Sequence, residues 1–280
     1  MASTTLISIA ALVLVTLGCC LIYSDRLTLM TFTNSFPKIG NRKRIKKDFR
    51  DSKQNSIFPP EDLMSNDWMN LTESRPFSNY GDGTCAESGY GRELKKIFIE
   101  WIKITKVYKV LYFLNFGTLL GAWRAGDLIP TDSDIDLVVS IHDTEKLLKY
   151  GKRNGFNLYI QKDWKLPEEH RRRFNCEGKQ VSSQVDSCAF VEPIGRLIEI
   201  SSGLRLDIYS YDMLYDTVRV FSDYHQELRK DFVFPLKKCK FMGLESYCPN
   251  KPKPILTIYY GVDLKPNEIC QNTKWIKNVI

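Results

Sequence analysis

GTLLGAWRAGDLIPTDSDIDLVVS, residues 117–140, sets Asp132, Asp134 and Asp136 at every second position directly ahead of an apolar run. Residues two apart in a strand share a face. If the strand of 135–140 extends back far enough, all three carboxylates crowd one side of it. Carboxylates that close raise one another's pKa unless a cation stands among them. A divalent ion resolves the repulsion, and hard oxygen donors select Mg²⁺ or Mn²⁺ over zinc. The competing reading is a solvated acidic turn, in which Asp132 caps and Ser133 turns.

Two neighbours favour the metal. Gly117-Thr118 ends one apolar run and opens a short helical stretch, an arrangement that offers backbone N–H groups and a hydroxyl to a phosphate. Downstream, LRLDIYSY (204–211) places a lone acid, Asp207, between Leu206 and Ile208, where an unpaired carboxylate is costly. Strand-borne carboxylates beside a phosphate-cradling turn make a site for phosphoryl transfer, where metals stabilise the attacking and leaving oxygens.

On these motifs, FGTLLGAWRAGDLIPTDSDIDLVV (116–139) resembles the signature of the LicD and fukutin family. LDIYSYD (206–212) and FPLKKCKFMGLESYCPN…ILTIYYG (234–261) are similar to its downstream segments, so the resemblance spans roughly residues 91–262. It implies a nucleotidyltransferase-like α/β domain that moves a phospho-alcohol, such as ribitol phosphate or phosphocholine, from a CDP-activated donor to a glycan hydroxyl. Position by position, it implies Asp134, Asp136 and Asp207 as catalytic and metal-binding carboxylates. Gly117 and Thr118 fall at the glycine-led turn, and Arg124 at a basic position suited to a donor phosphate. The chain departs from the family where Trp-Asp-Asp-Asp is common and Thr131-Asp132-Ser133-Asp134 stands instead. Ser133 is off the Asp134/Asp136 face, so the departure bears on donor fit more than on the metal. Asp132 either polarises the site or caps the turn.

At the N-terminus, Leu6 to Tyr23 is almost wholly apolar and, as a helix, spans roughly 27 Å, close to a hydrocarbon core of about 30 Å. That length, with no charged n-region, favours a retained signal-anchor over residues 1–24 against a cleaved signal peptide. The basic run 38–50, with seven Lys and Arg, pulls toward a cytosolic placement of the chain beyond the anchor. The acceptor triplet Asn70-Leu71-Thr72 and six cysteines beyond the anchor pull toward the lumen, and those six permit three disulfides in fifteen pairings. The balance predicts a single-pass type II protein of the Golgi or ER with its catalytic domain lumenal. The net charge of +7 fits a handler of phosphates or anionic surfaces. Beside an apparent anchor, the basic run suits a membrane surface better than nucleic acid, so no nucleic-acid partner is expected.

Residues 25–90 show no lasting periodicity and read as a stem. From there, ELKKIFIEWIKITKVY (93–108) has one apolar helical face. Strands are expected at 109–117, 135–140, 156–161, 196–203, 204–211, 216–222 and 231–236, and helices at 118–126, 143–155 and 254–261. Helices mixed with strands, not strictly alternated, predict an α+β domain over 91–280, a mixed sheet with flanking helices. EEHRRRF (168–174) is either a diphosphate clamp or a solvated charged face. His142, His170 and His225 have no ligand spacing. The alternative to a transferase is a non-catalytic lumenal glycan-binding or scaffold protein that retains the fold.

Overall fold

The computed structural model describes residues 63–69, 90–222 and 226–277. The expected anchor of 1–24, the basic run of 38–50, the Asn70 acceptor and Cys85 lie outside them. No helix among the described residues is long and apolar enough to cross a membrane.

Strand β1 (Met64–Trp68) precedes helix α1 (Gly91–Tyr108). Strand β2 (Tyr112–Leu114) runs into α2 (Phe116–Ala125), and β3 (Asp134–Ser140) into the single turn α3 (Thr144–Leu147). Next come β4 (Lys152–Arg153), β5 (Phe156–Ile160), a ribbon of β6 (Arg173–Phe174) and β7 (Gln180–Val181), and β8 (Gly195–Glu199). Then follow β9 (Arg205–Leu214), β10 (Thr217–Phe221), β11 (Gln226–Arg229) and the turn α4 (Lys230–Val233). The order ends with β12 (Leu236–Phe241), β13 (Leu244–Cys248), α5 (Pro252–Tyr260), β14 (Glu268–Gln271) and β15 (Lys274–Lys277).

Strand β9 is the hub of the main sheet. One edge pairs in parallel with β3 over Arg205 to Tyr211. The other edge is divided, its first half antiparallel to β8 and its second half to β10. Strand β2 extends β3 antiparallel, and β5 and β4 continue beyond β8. The sheet is therefore mixed, as the unalternated pattern of helices and strands predicted. Helix α1 covers it with the face that its spacing selects: Leu94, Ile97, Phe98, Trp101 and Ile104 are all at most 2% exposed. Burying each such side chain contributes on the order of 1.5–3 kcal/mol, so this stripe holds α1 in place. Trp101, Tyr112 and Phe113 pack in the core.

The structure corrects three sequence-based expectations. The helix expected over 143–155 is only a 3₁₀ turn at Ile141–Asp143 and the turn α3. Asn154-Gly155, both at positive φ, form a two-residue turn joining β4 to β5, and that hairpin signal overrides the helix-like charge order. In DFVFPL, the expected strand is the turn α4 followed by Pro235, whose ring cannot donate to a ladder; the strand begins after it, at Leu236. Within the stretch read as stem, β1 pairs in parallel with β12, and Leu63 is buried. MSNDW lacks the apolar alternation that would have marked it as a strand.

The disulfides Cys176–Cys188 and Cys239–Cys248 close short loops, and Cys270 is disulfide-bonded as well.

Candidate active site

The register of the sheet builds the site. Across the parallel pair, Asp136 stands beside Asp207 and Asp134 beside Arg205. Across the antiparallel pair, Arg196 of β8 stands opposite Asp207. Partners in register share a face, so Asp136, Asp207 and Arg196 form a row across three strands, with Asp134 and Arg205 forming the next row. Carboxylate oxygens of Asp134, Asp136 and Asp207 all lie within 4.8 Å of one another. The structure thus brings together the three carboxylates that the sequence singled out.

The two arginines were not anticipated. Arg196, 4% exposed, donates from Nε to Asp207 Oδ1 at 2.8 Å and from Nη2 to Oδ2 at 3.5 Å. It also donates from Nη1 to the Ser187 carbonyl at 3.1 Å, and its guanidinium lies 4.3 Å over the Phe190 ring. Arg205 reaches between the rows, with Nε 3.4 Å from Asp207 Oδ1 and Nη2 3.8 Å from Asp134 Oδ2. A local signal for Arg205 exists, since it sits two residues before Asp207 and so shares its face. Arg196 has none, because only the pairing of β8 with β9 places it.

The turn between β2 and α2 is tied to the same strand. The Asn115 N–H donates to the Asp136 carbonyl at 3.2 Å, and the Asp136 N–H donates to Thr118 Oγ1 at 2.7 Å. Phe116 takes φ 45°, an uncommon left-handed conformation for a bulky residue, and packs its ring 4.9 Å from those of Tyr209 and Tyr259. At Gly117, an added Cβ would come within 3.0 Å of Asp132 Oδ2, so glycine is what lets that carboxylate close on the turn. Thr118 is fully buried, and its hydroxyl oxygen accepts from the strand at Asp136.

Asp132 precedes the strand. Its N–H donates to the Ile129 carbonyl, its Oδ1 accepts from the Ser133 N–H, and its Oδ2 lies against Gly117. It therefore shapes the turn and adds a fourth charge to the cluster at once. Burial, with the Asp134 charge behind it, pushes the Asp132 carboxyl up to about 6. Burial and then the charges of Asp134, Asp207 and Asp132 hold Asp136 well above the usual carboxylate range. Burial also raises Asp207, against the opposing pull of Arg196 and Arg205. Fully ionised, four carboxylates face two guanidiniums, which leaves two negative charges for a cation to meet. Hard oxygen donors at this separation fit Mg²⁺ or Mn²⁺.

Arg124, 7% exposed, donates from Nε to the Leu264 carbonyl at 2.8 Å and from Nη2 to that of Lys265 at 2.6 Å. It braces the segment after α5 and lines a cavity of about 700 Å³ with Tyr260 and Trp275. Partial burial and then the Asp136 and Asp132 charges push the Tyr260 phenol upward. The arginines of EEHRRRF are held elsewhere. Arg171 pairs with buried Glu192, Arg172 with Asp163, and Arg173 donates to the Ser182 carbonyl. They therefore stitch this loop together, and the clamp expectation gives way to a structural one. A second acid-and-cysteine group, Cys176, Asp186 and Cys188, is a disulfide whose loop Asp186 caps by accepting three backbone N–H groups.

The family described as LicD/FKTN/FKRP, nucleotidyltransferase domain, matches residues 109–251, more than half of the chain's 280. No curated protein matches the sequence. The crystal structure of the lincosamide antibiotic adenylyltransferase LnuA, lincomycin-bound, is similar at 14% identity and a TM-score of 0.35, over 60% of this chain and 87% of that one.

Proposed function

This chain belongs to the LicD/FKTN/FKRP nucleotidyltransferase-domain family, and on that basis we propose that it is a metal-dependent phosphotransferase acting on glycans. In this reading it transfers a phospho-alcohol, ribitol phosphate- or phosphocholine-like, from a CDP-activated donor to a glycan or glycoprotein hydroxyl. The acceptor oxygen bonds to the phosphorus next to the alcohol, the bond from that phosphorus to CMP breaks, and CMP leaves. The hydroxyl proton passes to a carboxylate oxygen of the cluster. The observation that carries the reading is the juxtaposition of Asp134, Asp136 and Asp207, whose carboxylate oxygens lie within 4.8 Å of one another.

Asp134, Asp136 and Asp207 would hold the Mg²⁺ or Mn²⁺. Once bound, the ion neutralises charge on the transferring phosphoryl group. Arg196 opposes the burial that raises the Asp207 carboxyl and, through its Nε and Nη2 contacts, fixes the rotamer. The Gly117 turn holds Asp132 and Asp136 at the mouth of the site, and Arg205, a third exposed on its side chain, stands where a donor phosphate can reach it.

The test is metal-dependent CMP release in a screen of CDP-choline, CDP-ribitol and CDP-glycerol with Mg²⁺ and Mn²⁺. No CMP with any donor would favour the second reading, a non-catalytic glycan-binding or scaffold protein. One contact supports that alternative: the Arg205 guanidinium already bridges Asp134 and Asp207, as a retained but silent site would need.

The same proposal puts the chain in the Golgi or ER membrane through its N-terminal apolar segment, with the domain in the lumen. The disulfides support an oxidising compartment. An endoglycosidase-sensitive band that Asn70→Gln removes is expected; an unglycosylated, fully reduced native protein would count against the lumen.

A further inference from the structure

Beside the acidic cluster lies the cavity of about 700 Å³, within the roughly 300–1,000 Å³ range of small-molecule sites. Its lining runs from Ile129 to Thr131, the residue before Asp132, and across to Tyr260 at the end of α5. The far wall is the hairpin of β14 and β15, which lies beyond the stretch matched by the family. In that hairpin Glu268 pairs in register with Lys277, and Cys270 with Trp275, so all four share a face. Glu268, Trp275 and Lys277 line the cavity from that face, while Cys270, 3% exposed and disulfide-bonded, anchors it. Asn272 and Thr273, both at positive φ, make the two-residue turn that fixes the hairpin's register.

The chemistry of the lining selects among ligands. Two aromatic rings, Tyr260 and Trp275, offer faces to an apolar C–H surface. Asp263, Glu268 and Asn267 offer acceptors, and an amide, for hydroxyls. Its ionic groups balance, two acids against Arg124 and Lys277, and Arg124 already has Nε and Nη2 on backbone carbonyls. A diphosphate prefers a net cationic wall. A neutral, hydroxyl-rich ring with one apolar face suits this one.

We propose that the cavity between α2, the end of α5 and the β14–β15 hairpin is the subsite for the acceptor sugar, with Trp275 stacking on the ring and Glu268 and Asn267 binding its hydroxyls. The inference rests on the phosphotransferase reading for the word acceptor, but sugar binding itself does not depend on it. A hydroxyl presented past Tyr260 meets the carboxylate cluster, which takes its proton as the new P–O bond forms.

The test uses the full chain and a panel of methyl glycosides of glucose, galactose, mannose, N-acetylglucosamine and N-acetylgalactosamine, with CMP plus Mg²⁺ as the nucleotide probe. Saturation-transfer NMR reads both. At least one glycoside should give a signal that Trp275→Ala reduces at least fivefold and Asp134→Asn leaves intact, while CMP shows the reverse pattern. Where Trp275→Ala does not fold, the solvent-facing Glu268→Gln serves, with a loss of at least twofold expected. No glycoside signal from the wild-type chain, or a CMP signal that depends on Trp275 or Glu268, overturns the assignment. Glycoside binding without CMP release from any CDP-alcohol would sink the transferase reading and leave the sugar site standing. CMP release with a Trp275→Ala effect on the donor KM alone would do the opposite.

Discussion

Arg196→Met removes the guanidinium beside Asp207 and keeps much of the stem's volume. The arginine is 4% exposed, bonded through Nε to Asp207 at 2.8 Å and through Nη1 to the Ser187 carbonyl at 3.1 Å. Deleting one partner of a buried pair costs about 3–5 kcal/mol, because the other charge is left stranded. Arg205 stays 3.4 Å from Asp207 and softens that loss, so the low end applies, about 3 kcal/mol. At about 2–4 °C per kcal/mol for a domain of this size, the melting midpoint in EDTA should fall by roughly 6–12 °C. A general packing defect would do the same, so the decisive measurement is the second one. Without Arg196, four carboxylates face one guanidinium, and a divalent ion meets more uncompensated charge than in the wild type. Saturating Mn²⁺ should then raise the variant's midpoint by several degrees more than the wild type's, as ligand linkage requires for tighter binding to the native state. Scanning calorimetry of the full chain, first in EDTA and then in Mn²⁺, reads both quantities. A fall under about 2 °C, or an equal Mn²⁺ shift in the two proteins, refutes the reasoning.

Asp134→Asn and Asp136→Asn should each cut metal-dependent CMP release by at least about 100-fold, on the order expected for losing charge stabilisation at the reacting phosphate. Asp136→Asn should also leave the metal-free midpoint equal to or above the wild type's, since it removes a repelled carboxylate; full turnover in either variant would sink the assignment. Gly117→Ala brings a Cβ within 3.0 Å of Asp132 Oδ2, so the carboxylate must shift. It should lower turnover about tenfold while costing only about 1 kcal/mol of stability in urea titrations. Glu199 accepts from the Ser201 hydroxyl and the Ser202 N–H, and the Ser201 and then the Ser202 hydrogen bonds hold its carboxyl down to about 2. Its folded pKa lies below the unfolded value near 4.5, so its contribution is present above 4.5 and is lost as pH falls toward 2. The contribution is small at this exposed turn, and Glu199→Gln should flatten the acid limb of the urea midpoint over that window, an effect absent if the two profiles run parallel.

How much of this site was legible in the sequence depends on how far apart its parts are bonded. Asp134 and Asp136 were legible because period-two spacing is a local property, and Asp207 because a carboxylate between Leu206 and Ile208 is locally anomalous. Helix α5 was legible for the same reason, with Pro252 and Pro254 in its first turn and an apolar run behind them. Asn154-Gly155 is equally local, and a two-residue turn of that kind constrains φ far more tightly than the acidic-to-basic order of 143–155 favours a helix. Strand β1 and Arg196 are different. MSNDW becomes a strand only because β12 offers it an edge, and Arg196 becomes part of the site only because β8 pairs with β9 in one register. A slip of one residue in that ladder would turn Arg196 to the opposite face and leave Asp207 buried beside Arg205 alone. The three carboxylates can be read along the chain, but the counter-charge that lets one of them be buried can be read only across it.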